Sequence, residues 1–411
     1  MAILEKALLI GLYKSTSEKA EQDLSLQELR RLAETVGVEV FDVLFLELRE
    51  VDSATYIGKG KVERITSSIK EKAIEVVIFD HDLSPAQYGN LQEQFGCKVL
   101  DRTGLILDIF AGRARSGEGK IQVELAQLQY LLPRLSGKGS AMSQLGGGIG
   151  TRGPGETRLE LDRRKAKTRV SQLKDKLKKI KSNRNLHRER REKVPMPVVA
   201  LVGYTNAGKS TLLNKLTQAS VFAEDKLFAT LDPTARRLKL PSKRECLIVD
   251  TVGFIDKLPH TLVDAFRATF EESLYANLLI HLVDTSHPYF ERQMNVVQSV
   301  LKEFNLDQKP CLTVFNKIDA CSQEVLSFPD GVLRISALTG EGLDSLLEKI
   351  DEYLSYGSKR VHLLIPHTKG EVLSDLYQTS RIIHREDKEE GIYLEVDVME
   401  KNDQKYRRYQ L

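Results

Sequence analysis

The sequence predicts an α/β protein in four parts: an N-terminal α/β subdomain (residues 1–115), a basic α-helical hairpin with a glycine-rich tip (116–195), a doubly wound α/β domain (196–356) and a small C-terminal α/β domain (357–411). Three observations predict it. Apolar strand-like runs alternate with polar segments of helical period, the pattern of a parallel sheet with helical crossovers. A glycine-rich turn sits between one such apolar run and a helix-forming segment, the setting of a phosphate loop. The length, 411 residues, is too great for one ordinary domain and by itself suggests two or three.

In residues 1–115 the runs KALLIGLY, VEVFDVLFLEL, AIEVVIFDH and KVLDRTGLILDIF read as strands, and SLQELRRLAETVG reads as a helix. Between them Tyr56-Ile-Gly-Lys-Gly-Lys61 lacks phosphate-loop spacing and reads as a surface turn. Leu125, Leu128, Leu132 and Leu135 then recur at spacings of three and four, and Ala166, Val170, Leu173, Leu177 and Ile180 repeat the rhythm, as two helices packed on each other would. SGKGSAMSQLGGGIGTRGPGE separates the two stripes, crowded with glycine and without apolar periodicity, so a helical hairpin with a flexible tip is the simplest arrangement. Thr157 and Glu160 form a capping box where the second helix is expected to start. Pro195 and Pro197 force extended backbone on the residues before them, and a new domain begins at about Met196. It reads strand (PVVALVG), glycine-rich turn, helix, then TARRLKL and ECLIVDT joined by PSKR as an antiparallel hairpin, with further strands at NLLIHLVDT, CLTVFN and VLRIS. Beyond about Gly357 come HLLIP, a helical stretch around VLSDLYQTSRII, and the alternating GIYLEVDV, with Ile392, Leu394, Val396 and Val398 on one face and Tyr393, Glu395 and Asp397 on the other.

Composition excludes several classes. With 41% hydrophobic and 29% charged residues, the chain is not mostly disordered, collagen-like or a disulfide scaffold. Its longest apolar stretches, such as residues 277–284, fall short of the roughly 20 residues that cross a bilayer. Glu5 and Lys6 interrupt the apolar N-terminal run and no small-residue cleavage site follows, so a secretory signal is not expected. The expected compartment is the cytoplasm, with peripheral membrane association in part. Cys97, Cys246, Cys311 and Cys321 show no C-x-x-C pairing and read as reduced packing residues, and the eight histidines are scattered without H-E-x-x-H spacing. The net charge of +3 decides nothing, because its distribution matters more.

Gly203, Tyr204, Thr205, Asn206, Ala207, Gly208, Lys209 and Ser210 spell G-x-x-x-x-G-K-S between an apolar strand and the helical TLLNKLTQ. Glycines let backbone N–H groups converge on phosphate at a helix N-terminus, Lys209 reaches the terminal phosphates, and the Ser210 hydroxyl ligates Mg²⁺. Asn316, Lys317, Ile318 and Asp319 follow the strand CLTVF. The Asp319 carboxylate can accept from guanine N1–H and its exocyclic amine together, a pair that adenine lacks. Lys317 would lie along the base, Asn316 would tie this loop to the phosphate loop, and Ser336, Ala337 and Leu338 would offer backbone N–H to guanine O6. GTP is the nucleotide these residues select. Asp250, Thr251, Val252 and Gly253 end the strand CLIVDT; Asp250 would hold Mg²⁺ through water, and the Gly253 N–H would sense the γ-phosphate. Phe228, Ala229, Thr230, Leu231 and Asp232 form the segment expected to close over Mg²⁺ through Thr230, with Thr234 its rival. Lys209, Thr230 and Gly253 are the expected catalytic residues, and Ser210, Thr230 and Asp250 the expected metal ligands. After Gly253 comes Phe254, where many GTPases carry the Gln that orients the attacking water. Two readings stand: hydrolysis needs a helper, or Phe254 packs within the switch.

From Arg158 to Lys193 basic residues outnumber acidic ones by about three to one. A solvated helix face and phosphate binding both account for this excess, because lysines and arginines along a helix release counterions from nucleic acid without reading sequence. The tip, with Lys138, Arg152 and Arg158, either enters an RNA-lined channel or is a disordered linker.

With these residues in view, the chain resembles the HflX family of ribosome-associated translational GTPases across nearly its whole length. The resemblance is carried by YIGKGKVE, DRTGLILDIFAGRA, QVELAQLQYLLPRL, GGGIGTRGPGETRLELDRR, GYTNAGKSTL, LFATLDPT and DTVGFI. It implies an N-terminal domain of α/β and helical-hairpin parts joined to a Ras-like P-loop GTPase domain and a variable C-terminal piece. It further implies a protein that binds the large ribosomal subunit, places the hairpin tip near the peptidyl transferase region, and splits or rescues stalled ribosomes under stress. Ribosomal RNA is the expected main contact, the chain is expected to be a monomer, and its intrinsic GTP hydrolysis, with Phe254 after Gly253, is expected to be slow and stimulated by the ribosome. Two other classes are weighed beside it: an ATP-dependent RNA-remodelling N-terminal domain regulated by the GTPase domain, for which no second phosphate loop speaks, and a GTP-regulated scaffold without hydrolysis.

Overall fold

The computed structural model describes residues 5–134, 154–191, 196–217, 227–257, 275–321, 332–355, 358–399 and 405–411. The chain divides into two compact units. The first holds the described residues up to Lys179 together with 227–232 and 256–257, and the second holds the remainder.

In the first unit the strands β1 (Lys6–Tyr13), β2 (Glu39–Glu47), β3 (Val76–Phe79) and β4 (Lys98–Asp101) form a parallel sheet in the order β2-β1-β3-β4. Parallel pairing needs crossovers, supplied by α1 (Thr16–Thr35), α2 (Lys59–Lys72) and α3 (Pro85–Phe95). The central β1 and β3 are consequently buried almost throughout. The caps are local and legible. Ser84 and Gln87 form a capping box around Pro85 at the start of α3, and Gly96 ends it at φ 66.

The run after Asp101 departs from the expected strand. Asp101 accepts from the Gly104 N–H at 2.8 Å and starts α4 (Arg102–Arg113), so RTGLILDIF is a helix. Leu105, Ile106, Leu107, Ile109 and Phe110 are all buried, and a short run apolar on every side does not distinguish a buried strand from a buried helix. Lys59, Gly60 and Lys61 likewise form the first turn of α2, not a free surface turn.

Helices α5 (Gly117–Arg134) and α6 (Pro154–Arg191) carry the two leucine stripes. Leu125 and Leu173 are buried, and Arg169 of α6 grips Glu124 of α5 with hydrogen bonds of 2.6 and 2.8 Å. α6 begins at Pro154, three residues before the expected Thr157–Glu160 box, because proline fixes φ and lacks the N–H a first turn leaves unused. The glycine-rich tip, with Leu135, Lys138 and Arg152, lies outside the described residues, as does the side chain of Arg158.

In the second unit β5 (Val198–Gly203), β6 (Thr234–Lys239), β7 (Glu245–Asp250), β8 (Leu278–Asp284), β9 (Cys311–Asn316) and β10 (Leu333–Arg334) form a sheet in the order β10-β9-β8-β5-β7-β6. Only β6 runs antiparallel, pairing with β7 through the PSKR turn as the sequence predicts. Helices α7 (Lys209–Thr217), α8 (Phe290–Glu303) and α9 (Leu343–Ser355) accompany this sheet.

The C-terminal residues add an antiparallel sheet, β11 (Ser358–Ile365), β12 (Arg381–Lys388) and β13 (Gly391–Met399), in the order β11-β13-β12, with α10 (Gly370–Thr379) beside it. Ile392, Leu394, Val396 and Val398 share its buried face as their alternation predicts. The expected helix VLSDLYQTSRII stops at Thr379, and RII opens β12. Asp397, expected to face outward, is buried between Arg244 at 2.7 Å and Arg360 at 2.9 Å, which joins this sheet to the β6–β7 turn. All four cysteines are free thiols, but Cys311 is exposed instead of packed.

Candidate nucleotide site

The carboxyl ends of β5, β7, β8, β9 and β10 lie along one edge of the six-stranded sheet, and β5 is the strand from which the order runs out both ways. In open α/β sheets that is where ligands bind. Gly203 to Gly208 form the turn after β5, and Lys209 and Ser210 open α7. Gly208 adopts φ 93, and a Cβ there would stand 2.4 Å from the Asn316 amide nitrogen. Both the conformation and the close approach demand glycine. Gly253 is required by space alone: its Cβ would meet the Thr205 Cα at 2.8 Å and the Lys209 Nζ at 3.0 Å.

The Lys209 ammonium donates to the carbonyls of Gly203 at 3.2 Å and Tyr204 at 2.9 Å, so it is drawn over the Gly203–Gly208 turn. Burial pushes its pKa down to about 8, against the pull of Asp250 toward the charged form. The Ser210 hydroxyl donates to the Asp250 carboxylate at 2.6 Å. These are hard oxygen donors of the kind Mg²⁺ takes, and no cluster of three His, Cys, Asp or Glu side chains competes for a metal among the described residues. Ser210 and Asp250 therefore fit a magnesium ion.

Asn316 brings three loops together. Its amide donates to the Ala207 carbonyl at 2.8 Å and accepts from the Ala337 N–H at 2.9 Å, binding the phosphate loop, the N-K-I-D loop and the Ser336–Leu338 segment into one frame. The tie to the phosphate loop is the one the sequence predicts. In this structure the Ala337 N–H is used by Asn316. Lys317 adopts φ 65 and pairs with Asp284 at 2.7 Å, which holds its stem in place, and Asp319 is exposed in the short 3-10 helix that follows. Sequence reasoning missed Asp284 and Thr285. The Thr285 hydroxyl donates to the Asn316 carbonyl at 2.6 Å, supporting the base loop from the end of β8. The signal was present, since NLLIHLVDT ends at the same sheet edge.

Phe254 is 1% exposed, and its backbone is tied to the phosphate loop: its N–H donates to Gly203 at 3.1 Å and its carbonyl accepts from the Thr205 N–H at 2.7 Å. The ring is therefore packed away in this structure and offers no hydrogen-bonding group. Thr251 is buried with its hydroxyl on the Leu201 carbonyl at 2.6 Å, and Val252 is buried beside it. Thr234, the rival to Thr230, is the first residue of β6, paired with Asp250 in the ladder.

Phe228 to Asp232 group with the first unit. Phe228 is buried edge-on against Phe110 with ring centroids 4.7 Å apart, Leu231 is buried, and Ala229 and Thr230 are half-buried. The Asp232 carboxylate accepts from the N–H groups of Arg115 at 2.9 Å and Ser116 at 2.7 Å. Asp232, expected among the nucleotide contacts, is thus engaged at the start of α5 in this structure.

Comparison with known proteins decides the family. Models described as GTP-binding GTPase N-terminal, GTP-binding GTPase Middle Region, 50S ribosome-binding GTPase and HflX C-terminal domain match residues 23–111, 113–191, 198–317 and 324–409. A GTPase HflX of Caldanaerobacter subterraneus subsp. tengcongensis is 47% identical over 394 residues, covering 96% of this chain and 91% of the relative. This chain belongs to the HflX family of GTPases. The HflX GTPase of Escherichia coli K12 is 43% identical over 385 residues, covering 92% of this chain and 89% of the relative. A solved GTP-binding protein of Sulfolobus solfataricus in complex with GDP is 27% identical, with a TM-score of 0.44, covering 85% of this chain and 98% of that one.

Proposed function

We propose that this chain binds GTP with Mg²⁺ at the carboxyl edge of the six-stranded sheet and hydrolyses it to GDP and phosphate. In its GTP form it binds the large ribosomal subunit, chiefly ribosomal RNA, and splits or rescues stalled ribosomes in the cytoplasm. The observation that carries the reading is the Asn316 amide, which joins the Gly203–Gly208 turn, the Asn316–Asp319 loop and the Ser336–Leu338 segment. HflX membership and the match to a 50S ribosome-binding GTPase model support the ribosomal part.

In this reading the Gly203–Gly208 turn cradles the phosphates and Lys209 moves from the loop carbonyls onto their oxygens. Ser210, Asp250 and Thr230 would hold the metal, the Gly253 N–H would sense the γ-phosphate, and Asp319 would read guanine. Bound Mg²⁺ would neutralise charge that builds on the phosphate oxygens. Phe254 can neither donate nor accept a conventional hydrogen bond to the attacking water, so the isolated chain turns over slowly and the ribosome stimulates it. The deciding test is GTP turnover by the full chain with and without purified large subunits. Stimulation is expected; turnover absent in both conditions sinks the enzymatic part. Lys209→Ala should reduce GTP binding or turnover at least a hundredfold, and wild-type rates in that variant would place the site elsewhere.

A further inference from the structure

The start of α5 is not capped by its own segment alone. Ser116, the residue before the helix, accepts the Gly119 N–H on its hydroxyl at 2.8 Å and donates that hydroxyl in a short hydrogen bond to Asp232 Oδ1. The other carboxylate oxygen accepts from both Arg115 N–H and Ser116 N–H. A side chain more than a hundred positions away thus completes the cap, and its negative charge faces the positive end of the helix. The fit is close: a Cβ on Gly119 would stand 2.4 Å from Asp232 Oδ1. Four residues earlier in the same segment, Phe228 is seated against Phe110 of α4, at the other end of the short connection into α5.

We propose that Asp232 couples the nucleotide state to the helical hairpin by holding or releasing the first turn of α5. The inference rests on the reading of Phe228–Asp232 as the segment that closes through Thr230. Two residues of extended chain span only about 7 Å, so any displacement that carries Thr230 beyond that reach of the seat pulls Asp232 out of it. When the seat empties, the N–H groups of Arg115 and Ser116 lose their acceptor and the Ser116 hydroxyl loses its own. The helix that leads toward the hairpin tip then starts with a weakened cap. The message travels through hydrogen bonds at a helix end, a two-state element that the nucleotide and the hairpin both bias.

Hydrogen exchange of the full chain, resolved at residues 115–119, tests this in the Mg²⁺–GDP and Mg²⁺–GTP-analogue forms, with affinity for both nucleotides measured separately. Exchange at Arg115 and Ser116 is expected to differ at least tenfold between the two forms. Gly119→Ala is the second arm. Alanine favours a helix over glycine, yet here its methyl displaces Asp232. This variant should bind GTP within about twofold of wild type while its exchange at these amides becomes fast and equal in both forms. Equal exchange in wild type with normal nucleotide affinity overturns the coupling, as does a nucleotide-dependent difference that survives Gly119→Ala. Failure of wild type to bind either nucleotide overturns the proposed function itself, a separate result read from the affinity measurement.

Discussion

Asn316 has one amide and uses both ends of it, which makes the site sensitive to a single truncation. Asn316→Ala removes the hydrogen bonds to Ala207 and Ala337 together and leaves two buried backbone groups without their partner. At about 1–1.5 kcal/mol per bond, GTP affinity should fall roughly thirtyfold to 150-fold, read by titration with a fluorescent guanine nucleotide. An unchanged affinity would mean the three loops hold their places independently. Phe254 makes the opposite point. Because the ring is buried and its backbone is strapped to Gly203 and Thr205, Phe254→Gln should not restore a water-positioning group. It should bury an amide instead, lowering stability by about 1–3 kcal/mol with no gain in intrinsic turnover; a tenfold faster variant would show that the side chain can reach the reacting water. At Asp80 the question is pH. Burial pushes this carboxyl up, but the Arg102 guanidinium at 2.8 Å, the Lys257 ammonium at 2.9 Å and the Ser25 hydroxyl pull it below its ordinary value. A folded-state pKa below the unfolded one gives stability that is present above about pH 4 and lost as pH falls through the folded value. Asp80→Asn should therefore cost about 3 kcal/mol at neutral pH and flatten the acid limb of thermal stability between about pH 5 and pH 2. A variant with the wild-type acid limb would assign that limb to other carboxylates.

Elements were legible in the sequence wherever periodicity and caps agreed. The PSKR turn announced β6 and β7, and the stripe of Ala166, Val170, Leu173, Leu177 and Ile180 marks the less exposed face of α6. Periodicity failed where the surroundings are apolar on all sides, as in α4, whose only distinguishing mark is the Asp101 cap. It failed again at β12, where a helical rhythm runs past Thr379 into residues that the neighbouring strand recruits. The phosphate and base loops were readable because their chemistry is local. The seat of Asp232 was not, because its partners lie 116 and 117 positions away and a single aspartate carries no sign of them. For α6 the exposed face bears Lys174, Lys176 and Lys178. If ribosomal RNA is its partner, replacing all three by glutamate should weaken co-sedimentation with large subunits at least tenfold. It should also make the dependence of log affinity on log salt shallower by roughly one for each phosphate that the helix no longer neutralises. Unchanged pelleting across a salt series would return this face to simple solvation.

For the whole molecule the proposed cycle is a statement about linkage, and linkage can be measured from both directions. If the large subunit binds the GTP form more tightly than the GDP form by some factor, the same factor must appear in how much the subunit favours GTP over GDP at the nucleotide site. A tenfold preference corresponds to about 1.4 kcal/mol of coupling, and a shift from 1:99 to 99:1 between bound and free conformations needs a preference near 10⁴. Useful switching therefore calls for a preference well above tenfold. The measurement is a pair of titrations: subunit binding to the chain loaded with GDP or a non-hydrolysable GTP analogue, and exchange of the two nucleotides on the chain with and without subunits. The two ratios are expected to agree within about twofold and to exceed tenfold. Ratios near one in both titrations would leave turnover without a switch, even if ribosomes accelerate it. Hydrolysis could then not time release, because a nucleotide with equal affinity for two states cannot shift the balance between them.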